Sequence, residues 1–244
     1  MKQRITVFGE ESQVVADDLE KAGFAITSHK PDVVFCHGGD GTLLRAERIW
    51  PGVAKVPLRL PRHVKSCPAH SRDAVIHRLV SGQLERSRVP KLEVNLGAQQ
   101  FMALNEVILR NPVPTVAVRF RVYCPGMSNK ERTGDGVVIA GEFGSTGYFK
   151  SVSGRSLSGG LGVALINPTV PEDLALCSEE VSVKVVLTRG RAVMTRDNDP
   201  RAVTLRSGMS FSVALGEGHA EVLGLDALAC QECRRHDGEA FNPH

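Results

Sequence analysis

The segment Val33–Thr42 reads VVFCHGGDGT, and it decides the fold of the first part of the chain. Val33–Cys36 is a short apolar run typical of a buried strand, and Thr42–Trp50 (TLLRAERIW) carries apolar residues at helical spacing. A buried strand joined through glycines to a helix is the unit of a parallel sheet covered by helices. Such a turn also suits phosphate, because glycines let backbone N–H groups approach its oxygens and the helix N-terminus adds partial positive charge. The predicted phosphate-binding residues are Gly38, Gly39, Gly41 and Thr42.

The segments around this turn continue the α/β pattern. Short runs rich in Ile, Val and Phe alternate with stretches of helical periodicity that end at Gly or Ser. This alternation predicts a parallel sheet with helices on its faces. The further predicted elements are strands Arg4–Phe8, Phe24–Ser28 and Asp32–Cys36 and helices Glu11–Ala22 and Ser71–Ser81.

The sequence changes character from about Val89. Its segments become β-branched or alternating, Gly, Pro, Asn and Asp separate them, and helical periodicity is almost absent. We therefore predict an all-β second domain. The predicted strands are Lys91–Leu96, Phe101–Leu109, Thr115–Val122, Gly136–Ala140, Val181–Leu187 and Ser210–Leu215, with turns at Ser151–Leu161 and Asp197–Pro200.

Length and composition are those of an ordinary globular protein. The 244 residues are 42% hydrophobic, and 30 Lys and Arg against 27 Asp and Glu leave a formal net charge of +3. A dedicated nucleic-acid-binding protein would show a clustered basic stripe interleaved with aromatic residues, and no such stripe is present. No apolar run approaches the length of a membrane span or of a secretion signal. We expect no nucleic-acid partner, no membrane partner and a cytoplasmic location.

The six cysteines are expected to be reduced core thiols, since most are scattered within apolar runs. One group is spaced like metal ligands: Cys230-x-x-Cys233-x-x-His236 could supply three zinc ligands. No second pair at a finger-like spacing accompanies it. We therefore prefer an exposed tail without a metal.

Asp40 lies inside the glycine-rich turn, where a carboxylate would repel bound phosphates. Two roles used in phosphoryl transfer would explain it: work with a metal ion, or acceptance of a proton from an attacking hydroxyl. The alternative is a simple turn in which Asp40 caps the helix or lies near its cap. Taken alone, the turn leaves both interpretations open.

Two further polar clusters follow in the β domain. Asn105 and Glu106 place an amide and a carboxylate inside an apolar strand run, either as an edge feature or pointing into a cleft. Gly134–Gly136 (GDG) then opens the strand Val137–Ala140, which leads into Gly144–Tyr148 (GSTGY). This second glycine-rich turn carries hydroxyls and an aromatic ring, which suit the ribose and base of a nucleoside.

In order, spacing and strand context, these motifs resemble those of the NAD kinase family. The Gly38–Thr42 (GGDGT) element is shared with diacylglycerol kinases and phosphofructokinases. Asn105-Glu106 followed by Gly144–Tyr148 is what distinguishes NAD kinases. The resemblance extends from the first strand to about Leu215.

The resemblance implies a fold and a reaction. The fold is α/β plus all-β: a Rossmann-like domain over residues 1–88, a β-sandwich-like dinucleotide-binding domain over residues 89–222, and a tail over residues 223–244 that packs back on the first domain. The reaction transfers the γ-phosphoryl group of ATP, with Mg²⁺, to the 2′-hydroxyl of the adenosine ribose of NAD. A homodimer or homotetramer with a site shared across a subunit interface is also implied.

The family's functional residues carry over position by position. Asp40 matches the catalytic aspartate that orients or deprotonates the acceptor hydroxyl. Asn105 and Glu106 match the pair that binds the adenosine moiety, with Glu106 accepting from ribose hydroxyls. The remaining matches are Asp135 near the nicotinamide, Thr146 and Gly147 at the adenine, and Tyr148 and Ser151 at the dinucleotide, from the neighbouring subunit.

Three departures from the family pattern affect this site. A glycine-rich stretch that closes over the dinucleotide is replaced by Val53–His63 (VAKVPLRLPRH), and Gly141–Phe143 (GEF) replaces Thr-Pro-Thr/Ser. The late Asp-Gly-Gln has at best Asp197-Asn198 or Asp199-Pro200 in its place. The positive charges of the substituted loop either form a solvated basic surface or bind a phosphorylated or carboxylated substrate. These charges are Arg59, Arg62, His63 and Lys65.

The departures keep two alternatives open. One is a kinase of the same fold with another nucleoside, sugar or polyol as acceptor. The other is a catalytically silent nucleotide-binding protein, against which the retention of Asp40 argues.

Overall fold

We describe the protein from a computed structural model that covers residues 2–60 and 67–230. The chain forms two compact units, Met1–Val89 with Ala220–His244 and Pro90–His219. Within the described part of the chain, no helix combines the length and the apolar character needed to cross a membrane.

The first unit is built on a parallel sheet. Its elements are β1 (Arg4–Gly9), α1 (Ser12–Lys21), β2 (Ala25–Ile26), β3 (Val33–His37), α2 (Asp40–Ile49), β4 (Ala54–Leu58), a 3₁₀ turn (Pro68–His70) and α3 (Arg72–Val80). The strands lie in the order β2-β1-β3-β4, and all neighbours in this series run parallel.

Strand β3 lies inside this sheet, and all five of its residues are buried. Its Val33 and Phe35 belong to one apolar core with Val15 and Leu19 of α1. Burial on both faces explains why the strand is a continuous apolar run rather than an alternating one. The parallel α/β domain predicted from this segment is confirmed.

Helix α2 begins at Asp40, two residues before the predicted start at Thr42. The reason is the backbone of Gly39, which has the extended conformation of an N-cap residue (φ −88°, ψ −173°), so that the helix starts at the next residue. Asp40 therefore lies in the first helical turn and is not the N-cap.

A buried ion pair ties α2 to β4. Lys55 is fully buried, and its ammonium group contacts the carboxylate of Glu47, which is 5% exposed. The ammonium also donates to the Trp50 carbonyl at 2.5 Å, and Glu47 accepts from the Gly52 N–H at 3.1 Å. These contacts hold the helix that carries Asp40 against the sheet.

The second unit contains two antiparallel sheets. With the strands that enter and leave it, its elements are β5 (Arg86–Leu96), β6 (Gln99–Ala103), β7 (Glu106–Arg110), β8 (Val118–Tyr123), β9 (Arg132–Gly134), β10 (Gly136–Gly141), a 3₁₀ turn (Gly144–Thr146), α4 (Tyr148–Ser153), β11 (Leu161–Ile166), β12 (Ala175–Cys177), β13 (Val183–Arg189), β14 (Arg191–Arg196), β15 (Val203–Arg206) and β16 (Ser210–Leu223). One sheet has the order β12-β11-β10-β7-β14-β15. The other joins β16, β13, β8 and β9, and β5 pairs with β16 and β6.

The chain then re-enters the first unit. The final residues of β16 bring Val222 beside Lys55 of β4 in parallel, and α5 (Asp226–Ala229) follows.

Strand β10 shows how the second unit is layered. Its Val137 and Ile139 belong to the main apolar core together with Phe120 of β8, on the other sheet. Its Val138 and Ala140 face the opposite way and pack in a smaller cluster with α4. The β-sandwich-like domain predicted for this half is confirmed.

Helix α4 is an element that the sequence patterns did not predict. It occupies part of the segment expected to form turns, and it places Phe149 in the smaller cluster with no exposed surface. Gly162 makes room for this ring, because a Cβ there would come within 2.5 Å of the Phe149 Cζ. The segment therefore forms a helix because it covers the outer face of β10 and β11.

The expectation of reduced core thiols is wrong for two cysteines. Cys124 and Cys177, 53 residues apart in the sequence, are joined by a disulfide in the second unit. Each lies in an apolar context, as expected, but the sheets bring the two side chains together.

Candidate functional site

The glycine-rich turn of the first unit is closely packed. Gly38 donates its N–H to the Leu58 carbonyl at 2.9 Å, and a Cβ at Gly38 would lie 2.3 Å from the Thr42 hydroxyl oxygen. Around Gly39, by contrast, a Cβ would meet nothing within 4 Å. The turn is therefore fixed on its inner side and open at the N-terminus of α2, where a helix presents N–H groups and partial positive charge to an anion.

Asp40 stands exposed at this helix N-terminus. Its side chain is 63% exposed, and the guanidinium of Arg59 lies 3.8 Å from the carboxylate. The interpretation of Arg59 as part of a solvated basic loop is wrong, because its side chain is only 12% exposed and donates to the Leu228 carbonyl at 3.5 Å. The other three basic residues of that loop, Arg62, His63 and Lys65, lie outside the described residues.

In the second unit, Asp197 organises the Asn105-Glu106 motif. Its carboxylate accepts from the N–H of Leu104 at 2.9 Å, of Asn105 at 2.7 Å and of Glu106 at 3.4 Å, and its own N–H donates to the Glu106 carbonyl at 2.9 Å. These bonds interrupt the predicted strand Phe101–Leu109, which the structure divides into β6 and β7. From the sequence alone, Asp197 is a turn residue and at best a partial match to the late Asp-Gly-Gln of the family.

Two oxygen atoms of this motif are buried without a hydrogen-bond partner. They are Glu106 Oε2 and Asn105 Oδ1, which belong to a small group of such atoms within the described residues. A buried acceptor left without a donor costs free energy, so natural proteins keep few of them. Unpaired acceptors on two neighbouring residues are suited to a ligand that brings its own hydroxyl or amine donors.

Glu106 also titrates unusually. Its burial, followed by the negative charge of Asp197, raises the pKa of the Glu106 carboxyl to about 7. The group is thus poised between its neutral and charged forms near physiological pH, a property that is common at functional sites.

The second glycine-rich turn packs directly on this motif. A Cβ at Gly144 would lie 1.8 Å from the Asn105 carbonyl oxygen, so only glycine fits there. A Cβ at Gly147 would lie 3.7 Å from the Asn105 amide nitrogen. The structure therefore brings Asn105, Glu106 and Gly147 together.

Ser145 was not singled out from the sequence, yet it holds this turn in shape. Its side chain is fully buried, donates to the Glu142 carbonyl at 2.6 Å and accepts from the Leu157 N–H at 2.8 Å. The hydroxyls of Thr146 and Ser151 are more exposed and donate to the carbonyls three residues before them. Tyr148 is half-buried against the cluster under α4.

Asp135 is not brought to the same place. It precedes β10, whereas Glu106 pairs with Ala140 near the other end of that strand, about 17 Å away at an ordinary rise per residue. Both carboxylate oxygens of Asp135 accept from amides, Asn111 at 3.2 Å and Asn167 at 2.8 Å. Within one chain, Asp135 holds a turn at the far end of the sheet.

Comparison with known proteins finds sequence relatives that are NAD kinases. The chain is 32% identical over 190 residues to the NAD kinase of Sulfurisphaera tokodaii, an alignment that covers 72% of this chain and 73% of that protein. It is 29% identical over 173 residues to NAD kinase 2 of Bacillus licheniformis and 33% identical over 173 residues to the NAD kinase of Latilactobacillus sakei. These two alignments cover 66% and 63% of this chain but only 60% and 64% of the relatives' own length. No family model matches the chain.

Solved structures share the fold over nearly the whole chain. An NAD kinase from Archaeoglobus fulgidus, solved with ATP, superposes with a TM-score of 0.74 over 96% of this chain and 99% of its own, at 18% identity. Yeast NADH kinase, solved with NADH, gives a TM-score of 0.75 over 100% of this chain and 89% of its own, at 14% identity. At these identities the likeness establishes the fold.

Proposed function

This chain belongs to the NAD kinase family, and from that premise we propose that it transfers the γ-phosphoryl group of ATP to the 2′-hydroxyl of the adenosine ribose of NAD, giving NADP. The proposal agrees with every motif that resembles the family. No particular contact among the described residues favours a different acceptor.

The observation that carries the proposal is the pair of buried acceptors, Glu106 Oε2 and Asn105 Oδ1. A ribose presents two adjacent hydroxyl donors, and hydrogen bonds from them to Glu106 Oε2 and Asn105 Oδ1 would supply what these oxygens lack. A hydrogen bond to a charged acceptor contributes roughly 1.5–3 kcal/mol, enough to select a ribose over an unsubstituted ring. Gly144 packs against the Asn105 backbone, so the second glycine-rich turn lies directly beside this pair of residues.

The open N-terminus of α2 is the proposed phosphate site. Gly38, Gly39, Gly41 and Thr42 supply its backbone and hydroxyl groups, and Arg59 adds a positive charge close to Asp40. For Asp40 we assign the role of the base that orients and deprotonates the acceptor hydroxyl, which requires an exposed carboxylate within reach of the substrate. Mg²⁺ enters with ATP, and a carboxylate such as that of Asp40 is a ligand of the type this cation takes.

The remaining assignments follow the family pattern. Thr146 and Gly147 belong to the adenine side, and Tyr148 and Ser151 reach the dinucleotide. Asp135 belongs near the nicotinamide; its distance along β10 from Glu106 agrees with a role in a homodimer or homotetramer, where a neighbouring subunit would present it. Light scattering on the purified chain would measure that assembly. A cytoplasmic location is part of the same proposal.

The experiment that tests the proposal is incubation of the purified chain with ATP, Mg²⁺ and NAD, followed by detection of NADP with an NADP-specific dehydrogenase. We expect NADP to form, and Asp40→Asn to lower turnover by at least about 100-fold, the usual contribution of a positioned base. Asp73→Asn is the matched control, because Asp73 is also an exposed carboxylate in the first turn of a helix. Glu106→Gln should raise the KM for NAD by roughly 10- to 100-fold, as expected for loss of a charged acceptor.

Two outcomes would contradict the proposal. Turnover of ATP with a sugar or nucleoside but never with NAD would indicate another acceptor. Binding of NAD by calorimetry without any ATP-dependent product would indicate a silent binding protein.

A further inference from the structure

Three side chains of types that can bind a metal ion meet in the first unit, and none of them belongs to the glycine-rich turn. They are Cys67, His70 and Cys230, whose ligand atoms all lie within 4.8 Å of one another. Cys67 precedes the 3₁₀ turn before α3, and Cys230 ends α5, so 163 residues separate the two thiols in the sequence. Cys67 and His70 are close in sequence, and the fold brings Cys230 to them.

The distances between these ligand atoms suit a metal ion with tetrahedral coordination. The two sulfur atoms are 3.7 Å apart, and Cys67 Sγ lies 3.2 Å from His70 Nδ1. With zinc–sulfur bonds of about 2.3 Å and zinc–nitrogen bonds of about 2.0 Å, the edges of a tetrahedral site are about 3.8 Å between two sulfurs and about 3.5 Å between sulfur and nitrogen. The sulfur–sulfur separation is that of two zinc ligands, and the Cys67–His70 separation is within a few tenths of an ångström of the sulfur–nitrogen edge. Cys230 Sγ and the His70 ligand nitrogen lie within 4.8 Å of each other, so binding an ion would draw these two together.

The surroundings of His70 prepare it to bind a metal. Its Nε2 lies 3.1 Å from a carboxylate oxygen of Asp226 and therefore donates to it, and Arg78 holds the same carboxylate at 3.0 Å. With the proton on Nε2, the lone pair of Nδ1 points to the thiols. A carboxylate behind the imidazole is the usual arrangement around a metal-binding histidine, because it fixes the tautomer and orients the ring.

We propose that Cys67, His70 and Cys230 bind a zinc ion that fastens the segment before α3 to the segment after α5. Two thiolates and one imidazole match the ligand preference of zinc better than that of magnesium or calcium. The residues are buried or half-buried, as in structural sites. Cys233 and His236, which the sequence pattern groups with Cys230, lie outside the described residues and are not part of the proposed site.

The consequence for the fold is a crosslink that connects to the proposed phosphate site through Arg59. The Leu228 carbonyl, on the helix that Cys230 ends, accepts from Arg59, and Arg59 faces Asp40. The ion would therefore hold in place the Leu228 carbonyl, which accepts from Arg59, without touching a substrate.

Zinc content of the full chain, purified without chelator and measured by mass spectrometry of the metal, tests the proposal. We expect about one zinc ion per chain in the unaltered protein, and less than about a fifth of that in Cys67→Ser and in Cys230→Ser. Cys36→Ala is the matched control and should keep its zinc, because Cys36 is a buried thiol in β3 outside the cluster.

A second measurement covers the case in which the variants fail to fold. Removal of zinc from the unaltered protein with a chelator should lower its Tm, and added Zn²⁺ should restore it. Co²⁺ added to the stripped protein should give the near-ultraviolet absorption of cobalt–thiolate bonds. Absence of zinc together with no uptake of added Zn²⁺ or Co²⁺ would overturn the proposal, as would a Cys67–Cys230 disulfide found by peptide mapping of the fresh protein. Neither readout depends on kinase activity, so the proposed function and this inference can fail separately.

Discussion

Glu106 is a carboxylic acid in an environment that disfavours its charged form, because it is buried and lies near the negative charge of Asp197. In the unfolded chain its pKa is near the ordinary 4.5, whereas burial and the charge of Asp197 raise it to about 7 in the fold. Between these two pH values the Glu106 carboxyl is largely protonated in the folded protein but largely ionised in the unfolded chain. The stability of the fold therefore falls as pH rises from about 4.5 to about 7, and the loss is complete above that range.

This predicts that Glu106→Gln stabilises the protein. At pH 8 we expect the variant to exceed the unaltered chain by about 1–3 kcal/mol in the free energy of unfolding, because the buried negative charge is gone. Urea denaturation at pH 4.5 and pH 8 measures the difference, which should nearly vanish at the lower pH. Equal stability at both pH values would show that Glu106 is not held in an unfavourable charged state.

The burial of Arg59 beside Asp40 gives a second prediction for a single residue. On the proposed function, Arg59→Ala removes a positive charge from the phosphate site, and a charge-assisted hydrogen bond of roughly 1.5–3 kcal/mol corresponds to a 10- to 100-fold rise in the KM for ATP. Steady-state kinetics with ATP varied at saturating NAD measures it.

The matched control is Arg72→Ala, since Arg72 is also a half-buried arginine paired with a carboxylate, Asp18, but belongs to α3. It should leave the KM for ATP unchanged. A rise of the KM for NAD alone in the Arg59 variant would show that Arg59 does not act at the ATP phosphates.

At the scale of elements, the Gly144–Tyr148 turn packs so closely on Asn105 that Gly144 cannot be replaced by a larger residue without a backbone shift. Gly144→Ala would force the backbone of the turn or of the Asn105 motif to move, because the added Cβ lies 1.8 Å from a carbonyl oxygen. We expect NAD binding to be lost and the Tm to fall, which calorimetric titration and thermal unfolding measure.

Gly141→Ala is the matched control in the same stretch of chain. Its added Cβ would make only ordinary contacts, 3.5 Å from Leu92 and 3.7 Å from Leu215. Normal NAD binding by Gly144→Ala would show that this turn is not part of the dinucleotide site.

The elements also show why some predicted boundaries were wrong. The run Phe101–Leu109 has the composition of one strand, but the carboxylate of Asp197 takes the N–H groups of Leu104 and Asn105 and divides it. The run from Tyr148 to Ser153 has no clear helical periodicity, yet it forms a helix because Phe149 covers the outer face of β10. In both cases a tertiary contact decides a local structure.

At the scale of the whole molecule, the disulfide between Cys124 and Cys177 gives a prediction about stability. It closes a loop of 53 residues, for which chain entropy gives a stabilisation of about 4 kcal/mol. We expect a reducing agent to lower the Tm of the purified protein and the double variant Cys124→Ser/Cys177→Ser to have the same lowered Tm with or without it.

Mass spectrometry after alkylation of the denatured, non-reduced protein provides the independent check. If Cys124 and Cys177 are both alkylated in the freshly purified chain after denaturation without reductant, the disulfide is absent and the Tm should not respond to reduction.

The sequence by itself determined the features that depend on neighbours along the chain. The apolar run Val33–Cys36, the glycines after it and the helical spacing from Thr42 predict a strand, a turn and a helix, because each of these requires only local backbone geometry. The order of the Asn105-Glu106 and Gly144–Tyr148 motifs indicated the family. None of these inferences needed a contact between distant residues.

Only the tertiary structure decided which distant side chains meet. Asp197 reaches the N–H of Leu104 across 93 residues, and Cys230 reaches Cys67 across 163. A sequence pattern carries no record of such distances, since strand order and helix packing set them. The orphan oxygens of Glu106 and Asn105, the burial of Arg59 and the proposed zinc site belong to this second class, because burial and coordination are properties of the assembled fold.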